Sequence, residues 1–374
     1  MKVKISLLIF VSVIITSAAQ IVNPVEKFAL PVNLSESSGA IFFNNRLITH
    51  NDSGGENKLF ELDTLSGLVT RTITISNAIN IDWEDITQDD TSIYIGDIGN
   101  NVSGNRTDLK IYKISKSDYL SSETINAQTI AFSYSDQTEF TPVSANNTEW
   151  DSEAIVSFDS ANLILFSKNW IDGTTKAYVV PKTQGTYTIS PLPTTLNSGG
   201  LISGGTYNPL TEKLFLVGYT NLLQPFIWRS EGFNGNDIFS GSNTQTLLSS
   251  FGFEQTEGIT YVNENRYFIT SESFTQSIFS DYAKLIAFST NDISLDIREE
   301  VEVDNILWYP NPVNDFLHIE NIIVDSVEIY DTKLMKLYTG KSSSVDMSSF
   351  NQGIYIVIIN KKEGFPIIKK IIKN

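Results

Sequence analysis

Short apolar runs separated by polar turns dominate residues 33–290, and few apolar residues recur at helical spacing. Five stretches share one pattern. Each opens on a triplet: Gly39-Ala40-Ile41, Glu84-Asp85-Ile86, Glu153-Ala154-Ile155, Gly204-Gly205-Thr206 and Glu257-Gly258-Ile259. A polar turn follows, then an apolar run: Leu47-Ile48, Ile93–Ile95, Leu163–Phe166, Leu214–Val217 and Tyr267–Ile269. A polar loop leads to a further strand-like run, as in Leu59–Leu62, Leu109–Ile114 and Pro225–Trp228. The triplets end at residues 41, 86, 155, 206 and 259, spaced by 45, 69, 51 and 53. β-rich units of this length that repeat as wholes predict an all-β chain built as a β-propeller of four-stranded blades. A sandwich would be equally β-rich but would not repeat its strands as units. Five repeats are visible, and the wide gap between 86 and 155 has room for another, so five or six blades are expected. Val25 to Val32 is expected to supply the strand that closes the last blade, which would remove exposed edges.

The ends of the chain break the repeat. Lys2 and Lys4 precede an apolar stretch, Ile5 to Ile15, that is short for a membrane span. Small residues follow at Ser17-Ala18-Ala19. Residues 1–19 are therefore expected to be a cleavable signal peptide, and 20–292 the propeller. Residues 293–305 are charged and unpatterned, as a linker would be. Residues 306–374 carry alternating apolar runs that predict a small β-sandwich. It opens on Tyr309-Pro310-Asn311-Pro312, where each proline fixes its own φ and restricts its predecessor.

Composition narrows the chemistry. The net charge is −17, and becomes −19 once Lys2 and Lys4 are removed. Nucleic acid and anionic membranes are poor partners for such a chain, and cations are better ones. The mature chain is expected to have no membrane span. Cysteine is absent, which excludes thiol catalysis and Cys-based metal sites. His50 and His318 are the only histidines, so a His-rich metal site is excluded too. His50 stands beside Asn51, Asp52 and Ser53, but no Gly-x-Ser-x-Gly elbow precedes it.

In a propeller, the start of each innermost strand and the end of the second strand lie at one mouth of the central channel. The five repeats place Gly39, Glu84, Glu153, Gly204 and Glu257 at the first position. They place Asp52, Asp97, Lys168, Tyr219 and Glu272 at the second, with Asp82, Asp85 and Asp151 alongside. Carboxylates crowded together cannot all ionise without compensation. A hard cation with oxygen ligands compensates them, and Ca²⁺ or another divalent ion is expected. The expected metal ligands are Glu84, Asp97, Glu153, Glu257 and Glu272. Asp52, Lys168, Trp83 and Trp150 are expected to contact a small-molecule or glycan ligand. The polar loop Gly96–Arg106 could add oxygen ligands or be a solvated turn. Two other readings use the same residues. The glutamates could cap backbone N–H groups or pair across blades. They could also serve a metal-dependent (phospho)ester hydrolase, with Glu84, Glu153, Glu257 and Asp97 on the ion and Lys168 countering developing negative charge.

Two resemblances add to these readings. Trp308–Asp315, Leu317-His318-Ile319, Val327–Asp331, Asn351–Val357 and the basic end Lys369–Lys373 resemble the type A sorting domain of the Bacteroidetes type IX secretion system. Thr332-Lys333-Leu334-Met335 stands where that family usually has a Gly-Lys turn. The resemblance implies handling by the type IX machinery and removal of the domain by a sorting peptidase. It also implies a final location that is secreted or on the outer-membrane surface. Asp82–Ile86, Tyr94–Asn101 and Gln255–Ile259 resemble the esterase-like phytase and SdiA-regulated propeller group, over residues 33–290. Phytase-like relatives hold phosphate with several basic residues. Here the candidates at the mouth are Lys168 and Arg106.

Overall fold

A computed structural model describes residues 21–276, 279–294, 307–320, 322, 324–332, 335–360 and 367–374. The expected signal peptide, 1–19, and residues 295–305 of the expected linker lie outside the described residues. The chain divides into two compact units, residues 1–295 and 296–374.

The first unit is a propeller with five blades among the described residues. Its innermost strands are Ser37–Phe43, Trp83–Gln88, Ser152–Ser157, Leu201–Asn208 and Gln255–Tyr261. Each of the five triplets lies in one of these strands, and the strands neighbour one another in a closed ring. The second strands are Arg46–Asn51, Ser92–Asp97, Asn162–Ser167, Lys213–Tyr219 and Arg266–Glu272, each antiparallel to the strand before it. Alternate side chains of each strand face opposite neighbours, because the strand period is two. The faces that meet between blades are apolar, and five buried clusters fill the five gaps. Burying these faces is the main force holding the ring together.

No sixth blade lies between residues 86 and 155. That span is used by the third and fourth strands of blade 2, Lys110–Ser115 and Gln128–Tyr134, by the helix Lys116–Ser121, and by long loops on either side. Ser115 caps the helix by accepting from the Asp118 N–H at 3.1 Å. The ring closes on Val22–Ala29, which pairs antiparallel with Lys284–Ser289 as the outer strand of blade 5. The closing strand thus starts and ends three residues earlier than Val25–Val32. Val32–Leu34 instead forms a 3₁₀ turn, since Pro31 has no N–H for a strand ladder.

Every innermost strand carries a register shift at one equivalent place. The shifts fall between Ser37 and Ala40, Trp83 and Ile86, Ser152 and Ala154, Ile202 and Gly204, and Thr256 and Gly258. Such a bulge puts an extra residue on one strand and re-aims its side chain. Glu84, Glu153 and Glu257 sit in these bulges. In blades 1 and 4 the glutamate position is held by Ser38 and Ser203 rather than by the expected Gly39 and Gly204, and a side chain at Gly204 would collide with the Glu257 carbonyl oxygen of the next blade.

One residue later the blades carry Gly39, Asp85, Ala154, Gly204 and Gly258. The small residues leave space in the channel, and Asp85 fills it. Its Oδ1 accepts from the Ile86 N–H at 2.8 Å. Its Oδ2 accepts from Ile155 N–H of blade 3 at 2.9 Å and Gly205 N–H of blade 4 at 3.2 Å. Asp85 is fully buried and ties three innermost strands together.

The second unit is a β-sandwich. Leu307–Tyr309, Phe316–Glu320 and Ser344–Asp346 make one sheet. Lys336–Gly340, Ser326–Tyr330, Gly353–Asn360 and Ile367–Lys373 make the other. Both contribute to one core, with Leu317, Ile319 and Val345 meeting Val327, Val357 and Ile371. His318 lies in the first sheet, stacked on Phe316 and 3.2 Å from Ser344 Oγ.

Candidate functional site

The bulged glutamates and the ends of the second strands meet at one end of the channel. A cavity of about 130 Å³ there is lined by Asp52, Glu84, Glu153, Lys168, Glu257 and Glu272, among others. Two carboxylate triads share Glu84. Asp52, Asp82 and Glu84 each offer an oxygen within 4.8 Å of the others, and so do Glu84, Asp151 and Glu153. A Cβ at Gly99 would collide with Glu84 Oε1 and Asp82 Oδ2, so the backbone closes over these two oxygens.

Burial and mutual repulsion push these carboxyls up. Burial first, then Asp151 and Glu36, raise Asp52 to about 6 against its contact with Ser53 N–H and the pull of Lys168. Burial, Asp52 and Asp151 raise Asp82 to about 7. Burial followed by Glu257 and Asp52 raises Glu272 to about 9. Glu84 stands well above the usual range, through burial and then the charges of Asp52, Glu153, Asp82 and Asp151. All its leading influences act in one direction.

Lys168 is the cation among the residues lining the cavity. It pairs with Glu153, donates to Tyr219 Oη at 3.1 Å, and lies 4.9 Å from the centre of the Trp170 ring. Burial opposes its charge, but Glu153, Tyr219, Glu257 and Asp151 outweigh burial and hold its pKa well above the usual value. Glu153 is therefore the partner of an ammonium, while Glu84 has none.

The structure separates three expected residues from the cavity lining. Asp97 is fully buried and accepts from Arg106 Nη2 at 2.7 Å, with Lys110 Nζ at 3.5 Å. Arg106 also donates to the Gly99 carbonyl at 2.7 Å and to Asp108 at 3.1 Å. This guanidinium clips the loop Gly96–Arg106 into shape and is engaged there rather than at the mouth. Arg106→Ala should cost about 2 kcal/mol in urea unfolding, because it strips a buried carboxylate of its main partner. Trp83 is fully buried in the cluster between blades 1 and 2, edge-on to His50 at 5.7 Å, and donates to the Ile79 carbonyl. Its neighbour Glu84 turns to the mouth, so Trp83 turns to the core. Trp150 packs against the cluster between blades 2 and 3.

The tryptophan at the mouth is Trp170, in place of the expected Trp83 and Trp150. It lines the cavity, and two further hollows of about 420 and 480 Å³. Its Nε1 donates to Asp151 Oδ2 at 2.6 Å, and its backbone N–H to the Thr148 carbonyl at 3.1 Å. The only signal in the sequence was its place two residues beyond Lys168.

Comparisons with known proteins place these findings. Residues 307–374 match the family described as the secretion system C-terminal sorting domain. No curated protein matches the chain. Among solved structures, the PQQ-bound aldose sugar dehydrogenase of Streptomyces coelicolor is 8% identical, with a TM-score of 0.40 over 72% of this chain and 98% of that one. PorZ, a surface component of the type IX secretion system of Porphyromonas gingivalis, is 13% identical, with a TM-score of 0.33 over 90% of this chain and 45% of its own. A GH43 enzyme of Xanthomonas citri is 9% identical, with a TM-score of 0.40 over 70% and 90%. These likenesses are remote, and the reading of the mouth rests on its own geometry. Among the described residues no helix is long and apolar enough to cross a membrane. The protein is a β-propeller that carries a type IX C-terminal sorting domain, is handled by that secretion machinery, and is exported to the cell surface or secreted.

Proposed function

We propose that the propeller binds a divalent cation, Ca²⁺ by its oxygen-only donor set, at the acidic mouth, and presents it to a ligand outside the cell. The observation that carries this is Glu84. It is buried, shared by both carboxylate triads, and acted on by four further carboxylates. A buried charge in that setting stays ionised only with a compensating cation. Glu84, Asp82 and Asp151 are the central oxygen donors, with Asp52 and Glu153 flanking them. Ca²⁺ takes six to eight oxygens at about 2.3–2.6 Å, so ligand oxygens complete the shell. Binding is favoured over phosphoester turnover, because Lys168 is already paired with Glu153 and Arg106 with Asp97. In this reading a sorting peptidase removes residues 307–374 after export, leaving the propeller released or surface-attached.

Metal analysis of the purified chain should find near-stoichiometric Ca²⁺, lost on chelation. At about one hundred times its Kd, Ca²⁺ should add about 2.7 kcal/mol to the unfolding free energy. Glu84→Gln should weaken calorimetric Ca²⁺ binding by tenfold or more, about 1.4 kcal/mol or above. Without Ca²⁺ the variant should be at least as stable as the parent, since the amide replaces a carboxyl that burial and its neighbours already hold back from ionising. Unchanged affinity in Glu84→Gln would remove the site.

A further inference from the structure

We propose that the hollow beside the mouth binds a neutral saccharide, with one sugar ring against the Trp170 indole and its hydroxyls on the cation held at Glu84. This rests on the cation reading and names the ligand class for the same site. The cation cavity and the hollow of about 420 Å³ share Asn146, Trp170, Tyr219 and Gln255 as walls. The change in chemistry between them is abrupt. The cavity is crowded with carboxylates, whereas every residue lining the hollow is uncharged.

The hollow has an apolar floor. Leu201, Tyr219, Leu223 and Phe274 form a small buried cluster with Trp170 packed on it. Around that floor stand amides and hydroxyls, such as Asn221, Gln255 and Thr220. An apolar floor with a ring of uncharged donors and acceptors matches a molecule with C–H faces and hydroxyl edges. A charged ligand would find no counter-charge in the hollow. A purely apolar one would leave the amides without partners. Neighbouring hydroxyls of a sugar also supply hard oxygens, which an incompletely filled Ca²⁺ shell accepts.

Asp151 couples the two compartments. It belongs to the triad with Glu84 and Glu153, and the same carboxylate holds the indole through Trp170 Nε1 at 2.6 Å. A cation that recruits Asp151 therefore fixes the aromatic wall of the neighbouring hollow. Saccharide binding depends on the cation for two reasons: direct coordination and the setting of Trp170.

The test uses the purified chain with a panel of neutral oligosaccharides, acidic oligosaccharides and unmodified peptides. Each is measured with saturating Ca²⁺ and with chelator, and Ca²⁺ binding is read separately by calorimetry. Neutral saccharides should bind with Ca²⁺ and be lost on chelation. Trp170→Ala should weaken them about tenfold or more while Ca²⁺ binding persists. Trp170→Phe keeps a ring but gives up the N–H, so it should retain saccharide binding and show a smaller Ca²⁺ dependence. Ca²⁺ binding without saccharide binding overturns this proposal alone. So does a preference for peptides or acidic sugars, or an unchanged saccharide affinity in Trp170→Ala. Absence of Ca²⁺ binding overturns the cation reading, and this proposal with it.

Discussion

Replacing Asp85 with Ala should cost the propeller on the order of 4 kcal/mol, a large part of a domain's net stability. The side chain accepts three backbone N–H groups from three blades, at 2.8, 2.9 and 3.2 Å. Each buried donor left alone costs about 1–3 kcal/mol. Part of this is returned, because burial pushes the Asp85 carboxyl well up and removing it relieves that strain on the charge. Asp85→Asn keeps an acceptor for two of the three donors and should cost about half as much. Urea unfolding measures both. A loss below about 1 kcal/mol in Asp85→Ala would mean that water or backbone shifts replace the side chain at no cost.

The metal-free propeller should become less stable as pH rises from 7 to 9, by on the order of 3 kcal/mol. Glu257 has an ordinary value of 4.5 and is raised to about 7, by burial first and then Asp52, against Lys168. Glu272 is raised to about 9. Between the ordinary value and the raised one, the folded state holds protons that the unfolded chain releases. Stability is therefore full below the ordinary value and declines as pH climbs through the raised values. His50 acts in the opposite direction at lower pH, since burial lowers it from 6.5 to about 4. Its contribution is lost as pH falls below 6.5, which is why the alkaline window reports on the mouth. Saturating Ca²⁺ should flatten the decline. Chemical unfolding at a series of pH values, with chelator and with Ca²⁺, measures it, and a flat curve in chelator would contradict the electrostatics of the mouth.

The blade starts were legible because Glu84–Ile86, Glu153–Ile155 and Glu257–Ile259 each combine a mouth residue, a small or acidic channel residue and a β-branched core residue. In blades 1 and 4 the register is one residue off: Ser38 and Ser203 take the glutamate position, and Gly39 and Gly204 the channel position. The number of blades was less legible. Spacing counts residues and does not distinguish a hidden blade from a helix, outer strands of the neighbouring blades and long loops, which is what residues 116–151 contain. The gathering of Asp52, Glu84, Glu153, Lys168, Glu257 and Glu272 in one cavity also followed from strand geometry. Asp97 occupied an equivalent position and was still taken out of the lining. The reason is Arg106, nine residues away across a loop whose folding depends on Asn100, which donates to Asp151 Oδ1 at 2.6 Å. Trp83 was misplaced for a local reason: next to an inward-turned glutamate, it had to face the core. Trp170 was missed because two long-range hydrogen bonds, to Thr148 and Asp151, bring a loop residue to the mouth. Such partners have no periodic signature.

The strand Val22–Ala29 is the first of the propeller to be synthesised and the last to be matched. Its partner, Lys284–Ser289, is followed almost at once by the end of the unit. The first three strands of blades 1 to 4 follow one another in sequence, and blades 1 and 2 add outer strands from much later in the chain, Thr124–Ile125 and Gly185–Ile189, but the ring has no closure until nearly the whole unit exists. Contacts of such separation slow folding and leave strand edges open in the meantime. A partly delivered chain is thus an open arc with two sticky ends. Secretion of this protein therefore faces a timing problem: both ends of the arc must be kept from other chains until the fifth blade arrives.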